Sequence, residues 1–218
     1  MDTATNLKRI IGLTGAGGVG KSTVMNGLCA SYPDVFCKIP SVARSVFNRH
    51  GITNEEAVET LRTSEPEKFL AITKEIWEAK KQSDRLAVDQ AISYNMIAIA
   101  DRTLYCQLAY WLYYFGKTTK TVQYTELLAD VYDHTIRYYR DIIYIPLVIF
   151  PNINTGIDTE DNFRLSTRSW GYRKVIDATI TSLLDHPDGD YCQLYTTGLL
   201  ERQREFLQIT KMHHLIRD

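Results

Sequence analysis

Gly15, Ala16, Gly17, Gly18, Val19, Gly20, Lys21, Ser22 and Thr23 spell GAGGVGKST, a glycine followed by four residues and then Gly-Lys-Ser. That spacing, after an apolar run and before a stretch able to form a helix, is the pattern of a phosphate-binding loop. Its glycines let the backbone turn tightly with its N–H groups inward, and a helix starting at Lys21 adds the positive end of its dipole. The geometry suits a triphosphate such as ATP, with Lys21 reaching the β and γ phosphates and the Ser22 hydroxyl ligating Mg2+. About 80 residues further on, Asp101-Arg102 closes the apolar run NMIAIA. A carboxylate there can hold the same magnesium through water, and an arginine can grip a phosphate with its planar fork of donors. A structural ion pair capping a helix would use the same two residue types.

The chain must supply elements that bring these residues together. KRIIGLT (8–14) predicts a buried strand leading into the loop, followed by a helix over 21–31 that Tyr32-Pro33-Asp34 ends. VFCKI (35–39) predicts a second strand, and SVARSVFNRHG (41–51) a helix closing on Gly51. Ser64-Glu65-Pro66-Glu67 matches a capping box, which predicts a helix running from there past Trp77. NMIAIA predicts a buried parallel strand whose tip presents Asp101 and Arg102. LYCQLAYWLYYFG and 123–139 predict two more helices, and IIYIPLVIF (142–150) a fourth strand. The polar stretch 152–174, with Gly156, Gly171 and Arg164, Arg168 and Arg173, reads as a flexible flap handing over to a helix near 172–185. QLYTT (193–197) and GLLERQREFL predict a last strand and a closing helix. Strands alternating with helices predict an α/β fold, a parallel sheet with helices on both faces.

Composition narrows the function classes. A chain of 218 residues fits one domain spanning 1–218 with room for the flap. The formal net charge of -1 offers no general attraction to nucleic acid or to an anionic membrane. Cys29, Cys37, Cys106 and Cys192 stand apart from one another and read as reduced, mostly buried thiols of a cytoplasmic protein. The N-terminal MDTATNLKR has no signal-peptide core, and the longest apolar run falls far short of the roughly 20 residues that cross a bilayer.

The stretch DRTLYCQLAYW resembles the thymidylate kinase signature, in which Asp-Arg is followed at this spacing by Ala-Tyr, here Ala109-Tyr110. It departs at Thr103 and Cys106, where that family carries an aromatic residue and a serine. SVARSVFNRHG is similar to the Glu-x-Ala-Arg helix of the P-loop kinases that include nicotinamide-riboside kinase domains and phage nucleotide kinases, with Ala43-Arg44 in place and Ser41 where the acid would be. Gly198 with Glu201-Arg202 resembles the late Gly and Glu-Arg element of such kinases, which implies that Arg202 lies on the adenine side of the nucleotide. The segment 152–174, with Asp158 and Asp161 beside its arginines, looks like their lid. The resemblance implies a three-layer P-loop kinase fold and a phosphotransferase using ATP and Mg2+, and allows a homodimer.

The acceptor is the open point. A hydroxyl must lose a proton on attack and benefits from a carboxylate base, whereas a phosphate acceptor is already ionised. Deoxynucleoside kinases carry that base just after the second strand, and here KIPSVAR has no acid from Cys37 to Arg44. This tilts the reading toward a (deoxy)nucleoside monophosphate, with Asp89 or Asp101 as substitutes should the acceptor be a hydroxyl. Arg44 and Arg102 would then clamp the acceptor phosphate. Arg164, Arg168 and Arg173 are the flap candidates that neutralise charge in the transition state, with Arg173 also counted as acceptor-binding. Of the aromatics at Tyr105, Tyr110, Trp111, Tyr113, Tyr114 and Phe115, one or two would stack on a base, Tyr105 among them, and the rest would be core. A hydroxyl acceptor (a nucleoside, nicotinamide riboside or a hydroxymethylated pyrimidine in DNA) is the alternative, DNA associating through the region of His134, Arg137 and Arg140. A nucleotide-dependent regulatory ATPase or GTPase is the third reading.

Overall fold

The computed structural model describes residues 8–147, 170–185 and 191–212. Strand β1 (Ile10–Thr14) is buried along its whole length, as a run of Ile and Leu without polar alternation requires when both faces of a sheet are covered. Four more strands follow: β2 (Phe36–Ile39), β3 (Ile97–Asp101), β4 (Tyr139–Tyr144) and the short β5 (Cys192–Gln193). They form one sheet in the order β2-β3-β1-β4-β5, every pairing parallel. Helices α1 (Lys21–Ser31) and α8 (Leu199–Ile209) pack together, and α4 (Pro66–Ser93) packs on the sheet and on α6 (Thr121–Tyr138). The result is the three-layer P-loop kinase fold.

A second apolar cluster, centred on Val46, Phe69, Ile72 and Ile76, joins α2 (Ala43–Arg49), α3 (Glu55–Ser64) and the first half of α4. It builds a wall that faces the C-terminal edge of the sheet. The sequence reading missed α3, although its signals are present: Asn54 caps it by accepting from the Ala57 N–H at 2.8 Å, and Glu55 and Glu56 occupy its first turn. The capping box expected at Ser64 does not form. Ser64 is the last residue of α3 and its hydroxyl donates to the Thr60 carbonyl at 2.7 Å, while α4 starts at Pro66, which needs no donor partner at that position.

Other boundaries move. β4 begins at Tyr139 because Tyr139 and Asp141 pair with Ile10 and Ile11, and Pro146 follows it. β5 is two residues long, extended by one further bond from Leu194 N to the Tyr144 carbonyl. The helix expected after the flap, α7 (Trp170–Leu184), starts inside the stretch read as flap, so Arg173 is helical. Residues 152–169, with Asp158, Asp161, Arg164 and Arg168, lie outside the described residues.

Beneath the sheet Asp84 is wholly buried and accepts from Lys80 at 2.6 Å, from the Tyr139 hydroxyl at 2.7 Å and engages His134 at 3.0 Å. A buried charge must be paired in this way. His134 therefore belongs to the core and drops out of the basic region expected of it, while Arg140 stays exposed, tied to the Thr210 carbonyl and to Asp141. The ring of Tyr139 presses on Gly12, where an added Cβ would stand 2.6 Å from that ring and 2.5 Å from the Thr103 methyl group. None of the four cysteines forms a disulfide among the described residues; Cys29 and Cys106 are buried and Cys192 is exposed. No described helix is long and apolar enough to cross a membrane.

Candidate active site

The tips of β1 and β3 lie side by side, Leu13 opposite Asp101, so the loop leaving β1 and the Asp101-Arg102 pair meet at one edge of the sheet. This is where open α/β sheets bind ligands. The loop enters α1 through Gly20, whose φ of 93° is left-handed and open to glycine without strain. The Lys21 ammonium donates to the carbonyls of Gly15 and Ala16 at 2.9 and 2.6 Å. Burial, then the neighbouring Arg102 cation, lowers its pKa to about 8. The side chains of Ala16 and Val19 are buried, so these two residues shape the loop through their backbone and pack beneath it.

The Ser22 hydroxyl donates to Asp101 Oδ2 at 2.5 Å. A hydroxyl and a carboxylate oxygen at the end of the loop are hard donors of the kind magnesium takes, with phosphate and water completing the set. No cluster of three or more acidic, His or Cys side chains suited to a metal occurs among the described residues. Thr23, the next residue, also lines the cavity.

Arg102 has a φ of 83°, left-handed and unusual for a residue with a side chain. Its guanidinium donates to the Tyr110 hydroxyl at 3.1 Å and stands 5.1 Å from the centre of that ring, with no ion pair to an acid among the described residues. Arg173 rises from α7 against the loop: a Cβ at Gly18 would lie 3.0 Å from its Nη2. Lys21, Arg102 and Arg173 thus converge on one space around the glycines.

That space is a cavity of about 770 Å3 running from Gly17, Gly18 and Gly20 past Asp101 and Arg102 to Phe47, Phe69 and Tyr114. Arg44 reaches it from α2 and Lys38 from β2. Glu55, at the start of α3, lines it too. The sequence reading passed over Glu55 because it looked for an acid directly after β2; recognising the Asn54 cap would have placed it at a helix start. Asp89 is exposed on α4 and takes no part. Asp177 of α7 was also missed, and nothing in the sequence marked it.

The structure corrects Tyr105. Its neighbours Gln107, Tyr110 and Tyr114 share the face of α5 (Leu104–Phe115) that borders the cavity, and Tyr105, two residues before Gln107, projects the opposite way. It is buried edge-on against Tyr132 at 6.1 Å, and burial pushes its phenol up to about 12. Cys106, where the resembled signature has serine, sits under the loop with its sulfur 3.0 Å from the Thr14 hydroxyl. Arg202 is buried and spends its donors on backbone, Nη1 on the Val19 carbonyl at 2.7 Å and Nε on Thr196 at 2.8 Å, so it joins α8 to the loop.

Residues 10–180 match the family described as AAA domain. No curated protein matches the sequence. Among solved structures, deoxyadenosine kinase from M. mycoides, with the products dCMP and a flexible dCDP, superimposes with a TM-score of 0.62 at 14% identity over 93% of this chain and 98% of its own. NadR protein in complex with NAD and AMP-PNP gives 0.61 at 11% identity over 97% of this chain, and in complex with NR 0.60 at 11%. The chain spans about half the length of the NadR structures, 51% and 52%.

Proposed function

From a chain that belongs to the AAA domain family and has the P-loop kinase fold, we propose an ATP- and magnesium-dependent kinase that moves the γ phosphate to a (deoxy)nucleoside monophosphate. The observation that carries this reading is the convergence of Lys21, Arg102 and Arg173 on the loop, cations left without acidic partners among the described residues beyond Asp101, which Ser22 engages. A cluster of that kind favours an anion of several charges, and it opens directly onto a cavity with an aromatic end.

In this reading the loop N–H groups and Lys21 hold the donor phosphates, and Ser22 and Asp101 hold magnesium, which screens charge on the transferring group when bound. Arg102 and Arg44 clamp the acceptor phosphate, and Tyr110 or Tyr114 borders its base. Arg173, Arg164 and Arg168 belong to the charge-neutralising set. Catalysis is positioning and charge compensation, which asks for no base. The structural neighbours solved with the products dCMP and dCDP, and with NAD and AMP-PNP, support nucleotide binding in this fold.

One observation favours a second reading. Glu55 brings a carboxylate to the acceptor end of the cavity, where it could take the proton of a nucleoside hydroxyl, and the neighbour solved with NR is consistent with such an acceptor. Transfer from γ-labelled ATP, offered with each deoxynucleoside monophosphate, each nucleoside, nicotinamide riboside and hydroxymethyluracil DNA, separates the two. Label on a monophosphate, insensitive to Glu55→Gln, supports the first. Label on a hydroxyl that Glu55→Gln abolishes selects the second, and ATP hydrolysis indifferent to every acceptor rejects both.

A further inference from the structure

Asp177 takes no part in the chemistry above, yet it lies at a junction. Its Oδ2 accepts from the Tyr144 hydroxyl at 2.9 Å, at the end of β4, and from the Leu147 N–H at 3.3 Å. Thr181, one turn further along α7, donates to the same Tyr144 hydroxyl at 3.1 Å. Oδ1 is buried without a hydrogen bond of ordinary geometry, while the Ala16 N–H of the phosphate loop approaches the same carboxyl and Lys21 acts on it from a distance. Burial pushes this carboxyl up, against those donors. On a half-buried carboxylate, one buried oxygen without a hydrogen bond of its own calls for a physical role.

The geometry points to Asp177 as the positioning residue that seats α7, and with it Arg173, against the phosphate loop. The two are four residues apart and so share one helix face. The rest of this end of α7 is held by apolar and neutral contacts: Tyr172, Ile176 and Ile180 are buried in the core, and Tyr172 meets the Tyr114 hydroxyl at 3.1 Å and stacks edge-on with Tyr113 at 4.6 Å. Asp177 is the charged link from α7 to β4 and to the first turn of the loop. Without it the apolar face still holds α7 on the core, but the polar tie to the sheet end and the loop is lost, and with it the exact placement of the Arg173 guanidinium over Gly18. The inference rests on the reading that the loop binds ATP, and it adds the residue that aims one of the cations.

The test is a double-mutant cycle on the affinity of a fluorescent non-hydrolysable ATP analogue, which needs no acceptor. Asp177→Ala and Arg173→Ala are each expected to weaken binding about tenfold, and the double variant no more than either alone, because one acts through the other. Asp177→Asn, which keeps an acceptor for Tyr144 and Leu147, should retain most of the affinity. Tyr144→Phe removes the opposing donor without a cavity and should reproduce the non-additivity if Asp177→Ala fails to fold. Additive losses, or wild-type affinity in both Asp177→Ala and Tyr144→Phe, overturn the inference while leaving the ATP site intact. Absence of binding by the wild-type chain defeats the underlying reading and the inference with it.

Discussion

Lys21 should report its own burial as a pH dependence of nucleotide binding. In the nucleotide-free site its pKa falls from 10.5 to about 8, first through desolvation and then through Arg102. A polyphosphate at hydrogen-bond distance restores the charged form, so binding takes up a proton above about pH 8. Affinity should then fall close to tenfold per pH unit beyond that point, or about 30-fold between pH 7 and 9.5. Stability of the free protein runs the other way. Between about 8 and 10.5 the unfolded chain holds the proton that folded Lys21 has released, so stability rises with pH across that window and the penalty is full below it, about 3 kcal/mol at pH 7. Lys21→Met removes that penalty together with two hydrogen bonds to loop carbonyls, each worth roughly 1 kcal/mol. The free variant should gain about 1 kcal/mol, a rise in Tm of ~2–4 °C, while losing ATP. Titration calorimetry at stepped pH and thermal melts measure both. Wild-type affinity that is flat from pH 7 to 9.5, or a Tm several degrees lower in the variant at pH 7, refutes the argument.

Gly12→Ala should cost about 1–3 kcal/mol in chemical denaturation, because the new methyl group meets the Tyr139 ring and Thr103, both fixed in the core. Asp84→Ala strands the buried Lys80 ammonium and should lose about 3–5 kcal/mol. In the wild type, burial raises the Asp84 pKa but Lys80 and the His134, Lys80 and Tyr139 hydrogen bonds lower it below 3.8 overall. Its contribution is therefore present above 3.8 and lost as pH falls through the depressed folded value, readable as the difference between wild-type and variant acid denaturation. Arg202→Lys cannot hold both Val19 and Thr196 with a fork, and should lower the melting temperature and weaken ATP several-fold even though the charge is kept.

The phosphate loop was legible because its spacing, strand and helix follow from local backbone rules, and the first helix begins and ends where the sequence placed it, at Lys21 and Ser31. Alternation of strands and helices likewise specified the parallel sheet. What escaped was set by tertiary choices. Tyr105 and Tyr110 belong to one aromatic helix, and which of them faced the cavity depended on where α6 would supply Tyr132. Glu55 and Asp177 come from helices far from the loop in sequence, and only the packing of α2–α4 and of α7 brings them near it. His134 looked like part of a basic stripe because a buried acid that would claim it lies on another helix, 50 positions away.

The left-handed backbone at Arg102 explains how one strand tip serves both halves of the cleft. Successive residues of a strand point to opposite faces, so an extended Asp101-Arg102 would send one side chain into the cleft and the other away from it. At φ 83°, with its N–H held by the Leu13 carbonyl at 3.0 Å, Arg102 turns the chain instead. Asp101 then meets Ser22 on the loop side while the Arg102 guanidinium swings over Tyr110, and both border the same cavity. The conformation costs about 1–2 kcal/mol for a residue with a Cβ. That strain is offset by what it permits, a carboxylate and a cation presented side by side into one cavity from adjacent positions, which unstrained strand geometry cannot supply and which the proposed metal and phosphate roles require.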